Sequence, residues 1–374
     1  MTRGRLAPGW IGLLLAALAP RAVVAPAQSC SDGTNGPLTV SGSMTISLPR
    51  DGRLNYTSIT VNAGSTLGFI RNAANTPAFL LATGPVLING TIQLNAPNRS
   101  GGAGGGDGGL HGHGLFTGTG GTGPTPGSGG TSIDSRHGNA GGGGGMATAG
   151  TQAIRHSGPM PASGGAAIAF PIPMAGGSGG GGGAGWEFFG NLFDGGDGGG
   201  AGGGLVICSD VSITINGTIT ANGANGFASF ANGGGNGGPG AGGSGGVIDL
   251  HSDSIVLSST GACTALGGTG GGISTMPVFD PNYSSGANGG LGFLRVSGAS
   301  VALAGTINAL LICGDNCPDG TCGDLNADGR HDGNDVAGFV ACLLTGSGCP
   351  CADTDCNHLV DLADVGWFVI CLLG

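Results

Sequence analysis

The chain has 374 residues, of which 89 are glycine and only 9% are charged, and its formal net charge is −10. The eleven arginines form no basic patch and lysine is absent, so the sequence excludes a basic surface of the kind that binds nucleic acid. No segment beyond the amino terminus is long and apolar enough to cross a bilayer, so we expect no membrane span.

Residues 1–27 have the pattern of a secretion signal. Arg3 and Arg5 provide the positive start, and the apolar stretch at 10–18 is too short to span a membrane. Small residues at 25–27 predict cleavage before Gln28. Lipid attachment at Cys30 is disfavoured, because Ala27 stands where such sites usually have leucine. We therefore expect a secreted or cell-surface bacterial protein.

Residues 28–312 form the predicted body, in which an apolar pattern recurs at 86–94, 211–221, 255–265 and 299–307. Gly217, Gly261 and Gly305 mark the same point of the pattern and are 44 residues apart. Internal repeats of this length are typical of solenoids and propellers. A four-stranded propeller blade would need most of each repeat as strand, whereas each repeat here has a long glycine-rich remainder.

The Asn-Gly steps in these repeats permit two interpretations. Asn216-Gly217 between alternating apolar residues could form a tight hairpin. However, the apolar positions keep one parity through the glycine, at 211, 213, 215, 219 and 221, so one face stays apolar if the chain only bends there. The pattern therefore favours an all-β fold class, a glycine-rich parallel β-helix (solenoid), with a small α-helical module after it.

Residues 101–204 are the largest glycine-rich excursion, and a loop insertion, extra irregular rungs and disorder all remain open for it. The aromatic island at 186–193 is interpreted as a lid packed on the solenoid, with a partner or sugar contact as the second interpretation. His111 and His113 lack a third metal ligand, so we expect solvated loop histidines.

The body shows no convergent catalytic groups. Asp249 and Asp253 are the only close carboxylate pair on a predicted rung, and their spacing in a strand is about 13 Å. That separation exceeds the distances used by retaining or inverting glycosidases. The sequence thus predicts no catalytic residue and no organic cofactor in the body.

Residues 313–374 contain two loops with oxygen-bearing side chains at loop positions 1, 3, 5, 9 and 12. A backbone carbonyl at position 7 completes the set, and this spacing lets one short loop surround Ca²⁺. The sequence therefore predicts two calcium sites. Their ligand residues are Asp324, Asn326, Asp328, Arg330, Asp332 and Asp335 in the first loop, and Asp353, Asp355, Asn357, Leu359, Asp361 and Asp364 in the second.

Apolar residues at helical spacing follow each loop, whereas glycine, proline and aspartate precede the first loop, so each unit is predicted to be a loop and one helix. From about 323 to 373 this arrangement resembles a dockerin, the module that binds cohesin domains. The resemblance implies calcium-dependent docking to a cohesin-like partner. His358 stands where glycine is usual, which predicts weaker binding in the second loop, and 333–334 and 362–363 are not the common Ser-Thr pair. A calcium-stabilised cap without a partner is the alternative.

Eight of the eleven cysteines follow residue 312, which predicts a disulfide framework of unassigned pairing in an exported module. Two functions remain open. One is a secreted, non-catalytic structural or adhesive solenoid carrying a dockerin-like module. The other is a secreted polysaccharide lyase or glycoside hydrolase delivered by the same module. In both cases an extracellular polysaccharide is a candidate partner.

Overall fold

The computed structural model describes residues 29–373 except 135–136, 156–161, 172, 189, 233–234, 275–283, 314–324, 326–331, 346–349, 355–359 and 363. The predicted secretion signal therefore lies outside the described residues. The described part consists mostly of β-strands in parallel sheets, with two short α-helices near the carboxyl terminus. The predicted all-β class is confirmed at this level.

Three parallel sheets, each with six strands in the described ranges, make up the body. The first contains Pro37–Val40, Ser58–Val61, Val86–Ile88, Ile213–Ile215, Ser254–Leu257 and Ser300–Leu303. The second contains Ser43–Ser47, Thr66–Ile70, Thr91–Gln93, Thr218–Thr220, Ala262–Thr264 and Thr306–Asn308. The third contains Arg53–Tyr56, Ala78–Ala82, Gly204–Ser209, Val247–Ser252, Phe293–Ser297 and Leu310–Cys313.

The chain visits the first, second and third sheets in the same order on each pass. Each Asn-Gly step is a corner between the first and second sheets. Ile215 and Thr218, which a hairpin would pair with each other, pair in parallel with Leu257 and Ala262 of the following pass. The predicted bend is confirmed and the hairpin alternative is wrong. Two passes at 37–82 precede the repeats that the sequence pattern revealed.

The long glycine-rich excursion does not interrupt the parallel pairing of the strands before and after it. Thr91 pairs with Thr218, and Thr218 pairs with Ala262, so strands on either side of the excursion are direct neighbours. The chain departs after Gln93 and returns at Gly204. The three sheets therefore continue past an insertion of about one hundred residues.

Aliphatic side chains at alternate strand positions form the core between the three sheets. In the second sheet one inward row contains Leu67, Ile92, Ile219 and Cys263, all with no exposed surface. Burying each large aliphatic side chain stabilises the fold by about 1.5–3 kcal/mol. Cys263 occupies the inward apolar position that the sequence predicts.

The described glycine-rich segments form a hydrogen-bonded bundle. Residues 177–184 are its centre and bond six other segments. Their N–H groups donate to 196–202, 119–122 and 139–142, while their carbonyls accept from 106–112, 127–130 and 238–244. Gly177, Gly180 and Gly183, for example, donate to Gly202, Gly199 and Gly196.

These bonds recur every third residue, which is the repeat of a polyproline II helix. That helix has no internal hydrogen bonds, so its backbone groups must find partners elsewhere when they are buried. Here the neighbouring segments supply those partners. Glycine is required for the close approach, because an added Cβ would lie 1.9 Å from the Ser128 carbonyl oxygen at Gly181 and 1.8 Å from the Gly238 oxygen at Gly183.

Short strands and two helices complete the described structure. A five-stranded sheet contains Ser132–Asp134, His137–Gly138, Ser229–Asn232, Gly235–Asn236 and Ile273–Ser274. Two further pairs are Ile154–Arg155 with Ser284–Ser285, and Trp186–Phe188 with Asn191–Phe193. Helix α1 is Val336–Thr345, a 3-10 turn is Pro350–Ala352, and helix α2 is Asp364–Leu373.

Candidate metal centre

Each predicted calcium loop ends in a buried aspartate whose carboxylate holds the loop together. Asp335 and Asp364 both have no exposed surface. The Asp335 carboxylate accepts the backbone N–H groups of Leu325 at 2.9 Å and Asp332 at 3.0 Å. The Asp364 carboxylate accepts those of Thr354 at 2.6 Å and Asp361 at 2.8 Å. In both loops the donors precede the aspartate by ten and three residues, so the two loops close in the same way.

Five of the twelve predicted ligand residues lie in the described part of the module. They are Asp332, Asp335, Asp353, Asp361 and Asp364. The other seven lie outside the described residues: Asp324, Asn326, Asp328, Arg330, Asp355, Asn357 and Leu359. Within the described ranges, no three His, Cys, Asp or Glu side chains form a group arranged to hold a metal ion. The described residues bring together positions 9 and 12 of each loop, through a backbone hydrogen bond.

The predicted helix after each loop is present, with α1 starting directly after Asp335 and α2 starting at Asp364. The Asp335 carbonyl accepts the N–H of Phe339 at 2.9 Å, which is the first helical bond of α1. Phe339 and Phe368 occupy equivalent positions of α1 and α2, and their rings stack with centroids 3.9 Å apart and planes 3° apart. Cys342 and Cys351 are both disulfide-bonded. The two units are therefore packed against each other through equivalent residues.

The charge balance of the module is suited to bound divalent cations. Residues 313–374 contain ten aspartates and one arginine, Arg330. Among the described residues, Asp335, Asp353 and Asp364 are at least 97% buried. Buried carboxylates are costly unless opposite charge and hydrogen bonds compensate them. One arginine cannot balance ten carboxylates, whereas Ca²⁺ prefers a shell of carboxylate and carbonyl oxygens.

A charged cluster on the outer face of the third sheet was not predicted. Arg295 donates to both carboxylate oxygens of Asp249, from Nε at 2.9 Å and from the terminal nitrogen at 2.7 Å. His251 Nε2 lies 2.8 Å from Asp249 Oδ1. Asp249 and Arg295 are register partners on adjacent strands, but they are 46 residues apart, so the 44-residue spacing of the glycines would not have aligned them. Of the carboxylate pair weighed from sequence, Asp249 thus forms an ion pair, and Asp253 has no ion-pair partner among the described residues.

Contacts between histidine or arginine and aspartate side chains also join segments of the glycine bundle. His111 Nδ1 lies 2.6 Å from Asp197 Oδ1, and His113 contacts Asp194. The two histidines are partly exposed, as predicted, but each also contacts a carboxylate. Arg71 contacts Asp107 in the same bundle. These side-chain contacts join segments that have almost no other side chains.

Two further features could not be read from the sequence. Cys30 and Cys208 form a disulfide, which joins the start of the described chain to the third sheet. Trp186 is fully buried and stacks on Phe193 with ring centroids 4.4 Å apart. The interpretation of the 186–193 island as a packed element is therefore supported for Trp186, which has no surface free for a sugar.

No helix within the described residues has the length and apolar character needed to span a membrane. Comparisons of the chain with protein-family models, with curated proteins and with solved structures find no match.

Proposed function

We propose that this is a secreted, non-catalytic structural or adhesive protein that attaches to a cohesin-like partner through a calcium-dependent, dockerin-like module. The observation that carries the proposal is the equivalent closure of the two loops. Asp335 and Asp364 each accept N–H groups from the residues ten and three positions earlier. Such equivalence is what a duplicated metal-binding loop requires, since each copy must present the same ligand set to one ion.

An exposed apolar surface on the two helices supports docking to a partner. Val336, Val340 and Leu344 recur every four residues along α1 and are 40%, 46% and 83% exposed. Val365 and Val369 occupy the equivalent positions of α2 and are 36% and 43% exposed. Contiguous apolar surface of this kind on a small module marks an interaction site. Because these apolar residues occupy equivalent positions of α1 and α2, docking through either helix agrees with the structure.

We also infer that the body is a parallel β-helix. Its support is the repeated order of first, second and third sheet, with parallel register between successive passes and one shared apolar core. Such a body is a rigid rod in which every strand except those at the ends has two neighbours. Together with the low charge of its surface, this form suits a spacer or adhesin better than an enzyme.

Calorimetric titration of the full-length mature protein with Ca²⁺ tests the metal claim. We expect two binding events in the micromolar range or tighter. Capture of a cohesin domain on the immobilised protein should then occur with Ca²⁺ and disappear in chelator. Absence of calcium binding would overturn the whole proposal, while calcium binding without cohesin capture would leave a metal-stabilised cap and overturn the docking claim.

The second candidate, a secreted polysaccharide-degrading enzyme, is favoured by one observation, the Asp249, His251 and Arg295 cluster. A screen of the purified protein against plant and algal polysaccharides separates the two functions. Release of reducing ends or of unsaturated products would establish the enzyme and refute the non-catalytic proposal. Unchanged polysaccharides would agree with the structural role.

A further inference from the structure

An open cleft of about 460 Å³ lies beside the Cys30–Cys208 disulfide, where the third sheet turns toward the first. Its walls include Asp210, His251, Ser252, Asp253 and Ser297. His251 and Ser297 are register partners on neighbouring strands, so they stand side by side. The cleft thus belongs to the strand ends of the body and is separate from the candidate metal centre.

His251, which lines the cleft, is held by the buried pair of Asp249 and Arg295. The Asp249 side chain is 4% exposed and is paired with Arg295, whose guanidinium stacks 4.3 Å from the centroid of Phe170. His251 Nε2 lies 2.8 Å from Asp249 Oδ1, and the imidazole remains 31% exposed. A terminal nitrogen of Arg295 also lies 3.1 Å from His251 Nε2, so both contacts engage Nε2, and Nδ1 has no hydrogen-bond partner among the described residues. These contacts hold the orientation of His251, which lines the cleft.

Two polar groups of the cleft have no partner in the described structure. The Ser252 hydroxyl is buried and forms no hydrogen bond there, although Ser252 is 9% exposed as a residue. The Asp253 carboxylate belongs to an exposed residue and has no hydrogen-bond or ion-pair partner within the described ranges, while its backbone carbonyl accepts the N–H of Ser300. Buried polar groups are nearly always satisfied by protein, water or ligand. The Ser252 hydroxyl is therefore a group that a bound water or ligand would satisfy.

The chemistry of the walls limits what that molecule can be. The ionised side chains that line the cleft are both carboxylates, Asp210 and Asp253, and no aromatic residue lines it. Asp210 is already occupied by the backbone N–H of Cys30 and the hydroxyl of Ser29. The Arg295 guanidinium is committed to Asp249. Asp253 accepts hydrogen bonds only, while His251, Ser252 and Ser297 have groups that donate or accept, so the cleft matches an uncharged ligand with several hydroxyls and disfavours an anion.

We propose that this cleft binds one unit of a neutral sugar, with adjacent hydroxyls donating to Asp253 and further hydrogen bonds to His251 and Ser297. A carboxylate accepts two adjacent hydroxyls well, and hydrogen bonds to a charged acceptor are the stronger kind. The site gives the body a saccharide-binding function that does not depend on calcium or on a cohesin-like partner. A negative result for sugar binding would therefore leave the docking proposal standing, and a negative result for docking would leave sugar binding standing.

Saturation-transfer NMR on the full-length protein tests the site, with glucose, galactose, mannose and xylose as probes, galacturonate as the anionic comparison and putrescine as the cationic one. We expect saturation of at least one neutral sugar, and weaker saturation of galacturonate. Asp253→Asn should weaken binding of that sugar about ten-fold or more. His251→Gln should also weaken it, with an unchanged melting temperature as evidence of folding. Asp51→Asn changes an exposed aspartate outside the cleft and should leave the affinity as in the parent protein.

Three results would overturn the proposal. The first is no saturation of any neutral sugar, and the second is saturation that survives both Asp253→Asn and His251→Gln. The third is binding of putrescine alone, which would assign the cleft to a cation. Repeating the experiment in chelator should give the same sugar affinity.

Discussion

Replacing one central glycine of the bundle with alanine should destabilise it strongly. At Gly181 the new Cβ would lie 1.9 Å from the Ser128 carbonyl oxygen, whereas ordinary contacts begin near 3.4 Å, so a neighbouring segment must move by about 1.5 Å. Gly181 donates to the Gly142 carbonyl at 2.8 Å and accepts from the Ala241 N–H at 2.9 Å, and movement strains both bonds. Overpacking costs about 1–3 kcal/mol and each lost hydrogen bond about 0.5–1.5 kcal/mol. We therefore expect Gly181→Ala to lower the free energy of unfolding by about 2–6 kcal/mol.

Gly272→Ala is the matched control, because its added Cβ would meet no atom within 4 Å. We expect it to change the free energy of unfolding by at most about 0.5 kcal/mol. Urea unfolding followed by Trp186 fluorescence measures both variants, in a Trp367→Phe background so that the signal reports the bundle. Equal stabilities of Gly181→Ala and Gly272→Ala would refute the close-packed, backbone-bonded bundle.

Four further predictions concern other parts of the molecule. Asp335→Asn and Asp364→Asn should each lower the affinity of one calcium site at least ten-fold in calorimetric titration. Each change removes a negative charge and weakens the acceptor that closes the loop. Two unchanged sites in either variant would contradict the loop assignment. Phe339→Ala should cost the carboxyl-terminal module about 3–5 kcal/mol through the lost stack on Phe368, and scanning calorimetry should show the bundle transition unmoved. Burial raises the pKa of Asp107, but the Arg71 guanidinium, the Gly101 N–H and Arg99 outweigh it, so the folded-state pKa is below the usual 3.8. Its contribution to stability is therefore present above pH 3.8 and lost as the pH falls through the folded-state pKa, and Asp107→Asn should flatten this acid limb in pH-dependent unfolding. Burial raises the pKa of the Cys263 thiol to about 12, so iodoacetamide at pH 8 should label Cys263 only after denaturation, and peptide mapping that finds it labelled in the native protein would contradict its burial.

The repeat pattern predicted much of the β-structure correctly, since inward and outward positions alternate in strands such as Val86–Ile88 and Ile213–Ile215. Ile213, Ile215 and Ile219 keep one parity through Gly217, and all three side chains are buried in the common core. The helices after the two loops were predicted for a similar reason, as apolar residues recur at helical spacing after each loop, and Phe339 and Phe368, at equivalent positions, meet in the structure. Calcium and the cohesin-like partner stay predictions, to be decided by the experiments above, and secretion also stays a prediction.

The sequence by itself determined which residues face inward, because periodicity is a local property of the chain. Local patterns cannot say which distant segments become neighbours. Glycine offers no side-chain periodicity at all, so only the tertiary structure could assign residues 177–184 to the centre of six backbone-bonded segments. The same holds for the pairing of Cys30 with Cys208 and of Asp249 with Arg295, which depend on how successive passes stack. Long-range register, set by the shared core, decided these contacts.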